Sequence, residues 1–260
     1  MSATALNIDA AGALAQRMAD AARRIALHYF RQPLAIEAKA DASPVTQADR
    51  EIETCLRQMI GEAFPQHAIL GEEFGFADGA GYTWVLDPID GTRSFITGSP
   101  LWGTLIALLD GSRPVLGLIE IPATGERWFA RAGSGCTLNG QPARSSGCTR
   151  LEAARVYTTS PDAFAERADW DRFDRLSRRA AMRRFGGDCY AYALLASGHI
   201  DLVVEAGLQP YDYLASVAVI EAAGGRISDW RGEPLTTASD GRVVAAASEA
   251  LWRAALAELR

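Results

Sequence analysis

Apolar, strand-like runs that end directly in carboxylates narrow the folds open to this chain more than any other feature. The clearest is WVLDPIDGTRSF at residues 84–95, where a β-type run meets Asp87, Pro88 and Asp90 before Gly91-Thr92. HAILGEE at residues 67–73 ends in Glu72-Glu73, and Asp212 closes the segment QPYD at residues 209–212. A buried carboxylate without a partner is costly, so acids placed this way call for a cation, most often a metal ion.

With 260 residues the chain can build one large domain or two compact ones. Gly, Ser and Cys dominate residues 145–149, which predicts a connection between an N-terminal α+β domain, 1–148, and a C-terminal α/β domain, 149–260. A net charge of −6 and a pI near 5.2 argue against nucleic acid as a partner. They leave an anionic small substrate open, because bound cations invert the local field.

Cys55, Cys136, Cys148 and Cys189 lie far apart without a C-x-x-C pair, which fits a reducing cytoplasm and no disulfide or zinc framework. His28, His67 and His199 are isolated and read as structural residues. No charged segment followed by an apolar one opens the chain, and no apolar run approaches the ~20 residues that span a bilayer. The expectation is a soluble cytoplasmic protein without membrane contact.

Apolar spacing of three and four predicts helices over residues 6–30 and 46–64. Strands are expected at 67–71 and at 82–86, the latter ending at Asp87. The runs 101–109 and 115–121, joined by Asp110-Gly-Ser-Arg-Pro114, read as a hairpin, continued by 127–131 and by a second turn at Asn139-Gly140. Beyond residue 149, strands at 155–159, 182–185, 200–205, 226–228 and 243–247 alternate with helices at 171–181, 189–197, 213–223 and 249–259. Such alternation predicts stacked α and β layers, an α/β fold.

The acids form an oxygen-rich, histidine-poor set suited to a hard cation such as Mg²⁺. Two such ions roughly 4 Å apart would clamp both sides of a displacement at phosphorus. Pro88 keeps a helix from starting between Asp87 and Asp90, so both carboxylates can converge, with the Ile89 carbonyl as a neutral ligand. Each acid also has a plain alternative: Asp90 as a helix cap, Glu72-Glu73 as a solvated turn, Asp212 as the cap of the next helix. Thr46-Gln-Ala-Asp49 has the spacing of a capping box. Haloacid-dehalogenase phosphatases place D-x-D after a strand, whereas two residues separate Asp87 from Asp90, which puts that chemistry out of register.

GEE at 71–73, LDPIDGT at 86–92 and the YD-plus-AGG pattern over 211–225 resemble the inositol monophosphatase family, in order and over nearly the whole chain. The resemblance implies an alternating α-β-α-β-α sandwich, shared with fructose-1,6-bisphosphatases. It also implies a Mg²⁺-dependent, lithium-sensitive phosphomonoesterase that is a homodimer.

Carried over by motif, Glu72, Asp87 and the Ile89 carbonyl would hold one Mg²⁺, and Asp87, Asp90 and Asp212 a second, with a third ion near Glu72. Thr92, hydrogen-bonded to Asp49, would orient and help deprotonate the attacking water, and the Gly91 and Thr92 amides would cradle phosphate. Glu205 matches a substrate-contacting glutamate, and Lys39, Glu73 and Arg93 are further candidates. Within the family, Arg93-Ser-Phe, GSPLWGTLIALL at 98–109 and GGDCYAYALLASG at 186–198 are most similar to histidinol-phosphate phosphatases. Asp188 stands where inositol enzymes carry small neutral residues, which favours a cationic leaving group. The resemblance thus implies hydrolysis of L-histidinol phosphate in histidine biosynthesis. The alternatives are a broader inositol-1-phosphate or sugar-alcohol phosphatase and a metal-dependent phosphate-binding regulatory protein.

Overall fold

Period-two alternation in the strands decides how the layers stack. The computed structural model describes residues 7–33, 36–38 and 44–260. Its large sheet has eight strands, in the order β10-β9-β8-β7-β6-β5-β3-β4. They are β3 (Ala68–Gly71), β4 (Gly75–Ala77), β5 (Tyr82–Asp90), β6 (Gly103–Asp110), β7 (Arg113–Ile121), β8 (Glu126–Arg131), β9 (Thr137–Leu138) and β10 (Gln141–Pro142). On β5 to β7, Trp84, Leu86, Ile106, Leu108, Leu116 and Leu118 point to one face. There they meet α1 (Ile8–Tyr29) and α2 (Gln47–Ala63). Val85, Leu105, Ala107, Leu109, Ile119 and Ile121 point to the other face.

That second face packs on α5 (Cys189–Ala196) and α6 (Pro210–Ala222). Both helices are apolar almost all round because each is covered on two sides. Residues 213–217 of α6 are buried without interruption. Beneath them lies a five-stranded sheet of order β12-β11-β13-β15-β14. Its strands are β11 (Arg155–Thr158), β12 (Met182–Phe185), β13 (Leu202–Glu205), β14 (Arg226–Ser228) and β15 (Val243–Ala246). Val203, Val243 and Ala245 face α5 and α6. Leu202, Val204, Val244 and Ala246 face the outer helices α4 (Arg167–Arg178) and α7 (Glu249–Leu259). The result is the α-β-α-β-α sandwich expected, with the middle helices sharing a core with both sheets.

Several local expectations need correction. Strand β5 does not stop at Asp87. It continues through Pro88 to Asp90, with the register shifting between Asp87 and Asp90. The proline sits in this irregularity, where its missing N–H costs no ladder bond, and its carbonyl accepts the Thr104 hydroxyl at 2.7 Å. A short helix, α3 (Thr92–Ile96), follows at once; its buried Phe95 meets Trp102 edge-on at 4.8 Å. Helix α6 starts at Pro210, three residues before the expected Tyr213, because proline is accommodated in the first turn and Gln209 and Asp212 cap it reciprocally. Helix α4 starts at Arg167, with an Arg167–Asp171 pair at 2.9 Å along its first turn. The short pair β1 (Ile36–Ala38) and β2 (Pro44–Thr46) precedes α2. No helix among the described residues is long and apolar enough to cross a membrane.

Candidate active site

The C-terminal ends of β3 and β5 and the N-terminal ends of α5 and α6 meet at one cleft, and the acids singled out by sequence meet there with them. One carboxylate oxygen from each of Asp87, Asp90 and Asp212 lies within 4.8 Å of the others. Asp87 is fully buried, while Asp90 and Asp212 are half-buried. Glu72 stands outside this triad but reaches the Asp87 carboxyl. Its backbone amide donates to the Leu86 carbonyl at 3.2 Å, fixing the end of β3 beside β5.

Most of these acids are anchored through one oxygen. Asp90 Oδ2 accepts the Cys189 amide at 2.5 Å, so it caps α5 from 99 residues away. Asp212 Oδ2 accepts the Gln209 amide at 2.7 Å within its own helix turn. Asp49 Oδ2 accepts the Thr46 amide at 2.8 Å and the Thr46 hydroxyl at 2.6 Å. The expected capping box at Thr46 and Asp49 is therefore present. Asp90 caps α5 and not the helix that follows it, whose cap position is Gly91 without a side-chain bond, and Asp212 caps α6 from its third position, with Gln209 at the cap. These bonds use the Oδ2 atoms. They leave Asp87 Oδ1 and Asp49 Oδ1 buried with no hydrogen-bond partner. Buried acceptors without donors are rare, and oxygens so placed suit a bound cation or ligand.

The electrostatics agree. Burial, then the charges of Glu72, Asp90 and Asp212, push the Asp87 carboxyl well above the usual range. Burial, then Asp188 and Asp212, does the same to Asp90. Burial raises Asp212 to about 7 and Asp49 to about 6. An acid cluster that repels itself this strongly, with oxygen donors throughout and no imidazole or thiolate needed, fits divalent hard cations. Asp87, Asp90 and Asp212 form the best-defined donor set.

The Thr92–Asp49 hydrogen bond expected from the motif is not formed. Thr92 Oγ1 instead donates to the Ile89 carbonyl at 3.2 Å. Strand β2, which carries Thr46, nevertheless packs against α3. Gly91 takes a left-handed φ of 82° that favours glycine, and a Cβ there would lie 2.9 Å from the Asp188 carboxyl.

Asp188 occupies the cap position of α5 but makes no side-chain cap bond. Its φ of 44° is rare for a residue with a side chain. Its carboxylate turns instead to Ser94 Oγ, which donates at 2.8 Å. Burial raises it to about 6, partly opposed by the Ser94 hydrogen bond and by the nearby charge of exposed Arg93. Glu205 is buried, accepting the Thr159 amide at 2.9 Å and the Tyr192 hydroxyl at 2.7 Å. Asp90, Asp188, Glu205 and Asp212 line one small cavity of about 90 Å³, with Thr159, Cys189, Tyr192 and Leu208. Glu73 lies in the turn after β3, where its amide donates to Glu53 at 2.7 Å. Lys39 lies outside the described residues.

Sequence reasoning missed Ser94, Tyr192 and Glu53. Glu53 alone had a local signal, since it sits four residues after Asp49 on the same helical face.

The model of the inositol monophosphatase family matches residues 9–260. A bifunctional phosphatase, the chloroplastic IMPL2 of Arabidopsis thaliana, is 48% identical over 87% of this chain. That match spans 66% of the plant protein, a little under two thirds of its length. A histidinol-phosphatase of Chlorobaculum parvum is 38% identical over 95% of both chains. The solved structure of an inositol monophosphatase from Zymomonas mobilis superposes with a TM-score of 0.90 at 42% identity, covering 98% of this chain and 99% of its own. The chain belongs to the inositol monophosphatase family, phosphatases that act on small phosphate monoesters.

Proposed function

We propose that this protein is a Mg²⁺-dependent phosphomonoesterase that hydrolyses L-histidinol phosphate to L-histidinol and phosphate. The observation that carries the choice of substrate is Asp188: a half-buried acid in a rare backbone conformation, held by Ser94 beside the triad. Histidinol phosphate carries a primary ammonium next to the phosphate-bearing carbon, and an ammonium leaving water needs an anionic partner. The name of the Chlorobaculum relative supports the same reading.

In this reading Asp87, Asp90 and Asp212 hold one Mg²⁺, and Glu72 and the Ile89 carbonyl join Asp87 around a second. When bound, Mg²⁺ neutralises the phosphoryl oxygens and offsets charge on the departing oxygen. The chain's own groups do the rest. The Gly91 and Thr92 amides receive the phosphate at the turn into α3. Thr92 Oγ1 swings from the Ile89 carbonyl to the attacking water and passes a proton towards Asp49 Oδ1, the buried acceptor without a partner. Asp188 and Glu205 face the leaving group, Glu205 held rigid by Thr159 and Tyr192.

A second reading, an inositol-1-phosphate or related sugar-alcohol phosphatase, is favoured by the likeness to the Zymomonas enzyme. Phosphate release with Mg²⁺ from histidinol phosphate, inositol 1-phosphate, fructose 1,6-bisphosphate and 3′-phosphoadenosine 5′-phosphate separates the two. The highest kcat/KM is expected for histidinol phosphate. A higher value for inositol 1-phosphate would overturn the choice of substrate and keep the phosphatase.

A further inference from the structure

The turn that carries Glu72 is tied to a helix outside the acid triad. Glu53, on α2, is completely buried. Its Oε2 accepts the Glu73 amide at 2.7 Å and its Oε1 the Phe74 amide at 3.2 Å. The same Oε1 takes Arg57 Nε at 2.7 Å, one helical turn further on. Arg57 then donates through its terminal nitrogen to the Gly75 carbonyl at 2.5 Å. Two side chains of α2 thus hold residues 73, 74 and 75, while the Glu72 amide is fixed to Leu86 on β5.

The approach is so close that Gly71 has no room for a side chain. A Cβ there would come within 2.0 Å of Glu53 Oε1 and 2.8 Å of an Arg57 nitrogen. The glycine of the Gly71-Glu-Glu motif is therefore set by Glu53. A buried carboxylate that accepts two consecutive backbone amides and a guanidinium gives a charge-assisted, geometrically rigid clamp. A solvated turn would need none of this.

We infer that Glu53, supported by Arg57, is a positioning residue that aims Glu72 at Asp87 and thereby sets how tightly the site holds its metal. The inference rests on the reading of Glu72 as a metal ligand. Partners one step behind a ligand orient it and pre-form the site, so their loss weakens metal binding more than the chemistry that follows. A purely structural ion pair would change thermal stability and leave metal affinity where it was.

The test compares full-length Glu53→Gln, Arg57→Gln and Glu72→Gln with the wild type. Mg²⁺ affinity is measured by calorimetry and, independently, as the half-saturating Mg²⁺ in phosphate release. Glu53→Gln is expected to weaken Mg²⁺ binding by about ten- to a hundred-fold. At saturating Mg²⁺ its kcat should stay within about threefold of wild type. Arg57→Gln should move both readouts the same way by less, and it carries the test should Glu53→Gln fail to fold. Wild-type Mg²⁺ affinity in the folded Glu53 and Arg57 variants, with affinity lost in Glu72→Gln, overturns this inference alone. Wild-type affinity in Glu72→Gln overturns the ligand reading and the inference with it.

Discussion

Replacing Asp188 by asparagine removes a charge and little else. Asparagine has nearly the same shape as aspartate, so it meets the rare backbone of Asp188 (φ 44°, ψ −139°) on the same terms, and its carbonyl oxygen can still accept from Ser94 Oγ, now at 2.8 Å. The α5 cap is untouched, because Asp90 supplies it through the Cys189 amide. What disappears is the anion proposed to face the leaving group, which lines the cavity shared with Glu205 and Asp212. A hydrogen bond to a charged group contributes ~1.5–3 kcal/mol. At 1.36 kcal/mol per tenfold, kcat/KM for histidinol phosphate should therefore fall roughly ten- to a hundred-fold. The assay is phosphate release from histidinol phosphate run beside hydrolysis of p-nitrophenyl phosphate, whose leaving group carries no cation. The second substrate should change much less. Equal losses on both would mean that Asp188 supports the fold or the metals and does not read an amine.

Asp90→Asn should lower turnover by at least ~10²-fold at ordinary Mg²⁺, since it removes one anionic donor from the triad while an amide oxygen can still accept from Cys189; near-normal turnover would remove Asp90 from the site. The metal-free protein should lose stability as pH rises from about 4 to about 7. Asp49 at about 6 and Asp212 at about 7, against 3.8 for an ordinary aspartate, bind more protons folded than unfolded across that window, so raising pH favours the unfolded chain. Melting curves in chelator should show the higher Tm near pH 5 than near pH 8, and Mg²⁺ should narrow the gap; a Tm that climbs with pH would contradict the proton count.

The layers were legible because strand and helix signals alternate along the chain, while the strands of the large sheet read as unbroken apolar runs. Trp84 and Leu86 against Val85, or Leu105 and Ala107 against Ile106, separate the two faces of a sheet that both carry helices. The acids were legible because each sits where a strand ends or a helix begins, and the backbone brings those ends together. Pro88 misled, since a proline reads as a stop when nothing in the sequence reveals the register shift that accommodates it. Ser94 was beyond reach for a different reason, and the helical spacing of Glu53 from Asp49 did not reveal what Glu53 holds. Their partners Asp188 and Glu73 lie 94 and 20 residues away, and only the packed fold makes them neighbours. The expected Thr92–Asp49 bond came from motif likeness, and here the shorter path from Thr92 to Ile89, three residues back, wins.

We propose that Asp87, Asp90 and Asp212 are gathered to hold a divalent cation at which the phosphate ester is cleaved. Anomalous diffraction from crystals of the protein grown with Mn²⁺ in place of Mg²⁺ tests it most directly. An anomalous peak bounded by those three carboxylates is expected, with a second towards Glu72 and the Ile89 carbonyl. An active, Mn²⁺-loaded protein with no peak among Asp87, Asp90 and Asp212 would contradict it.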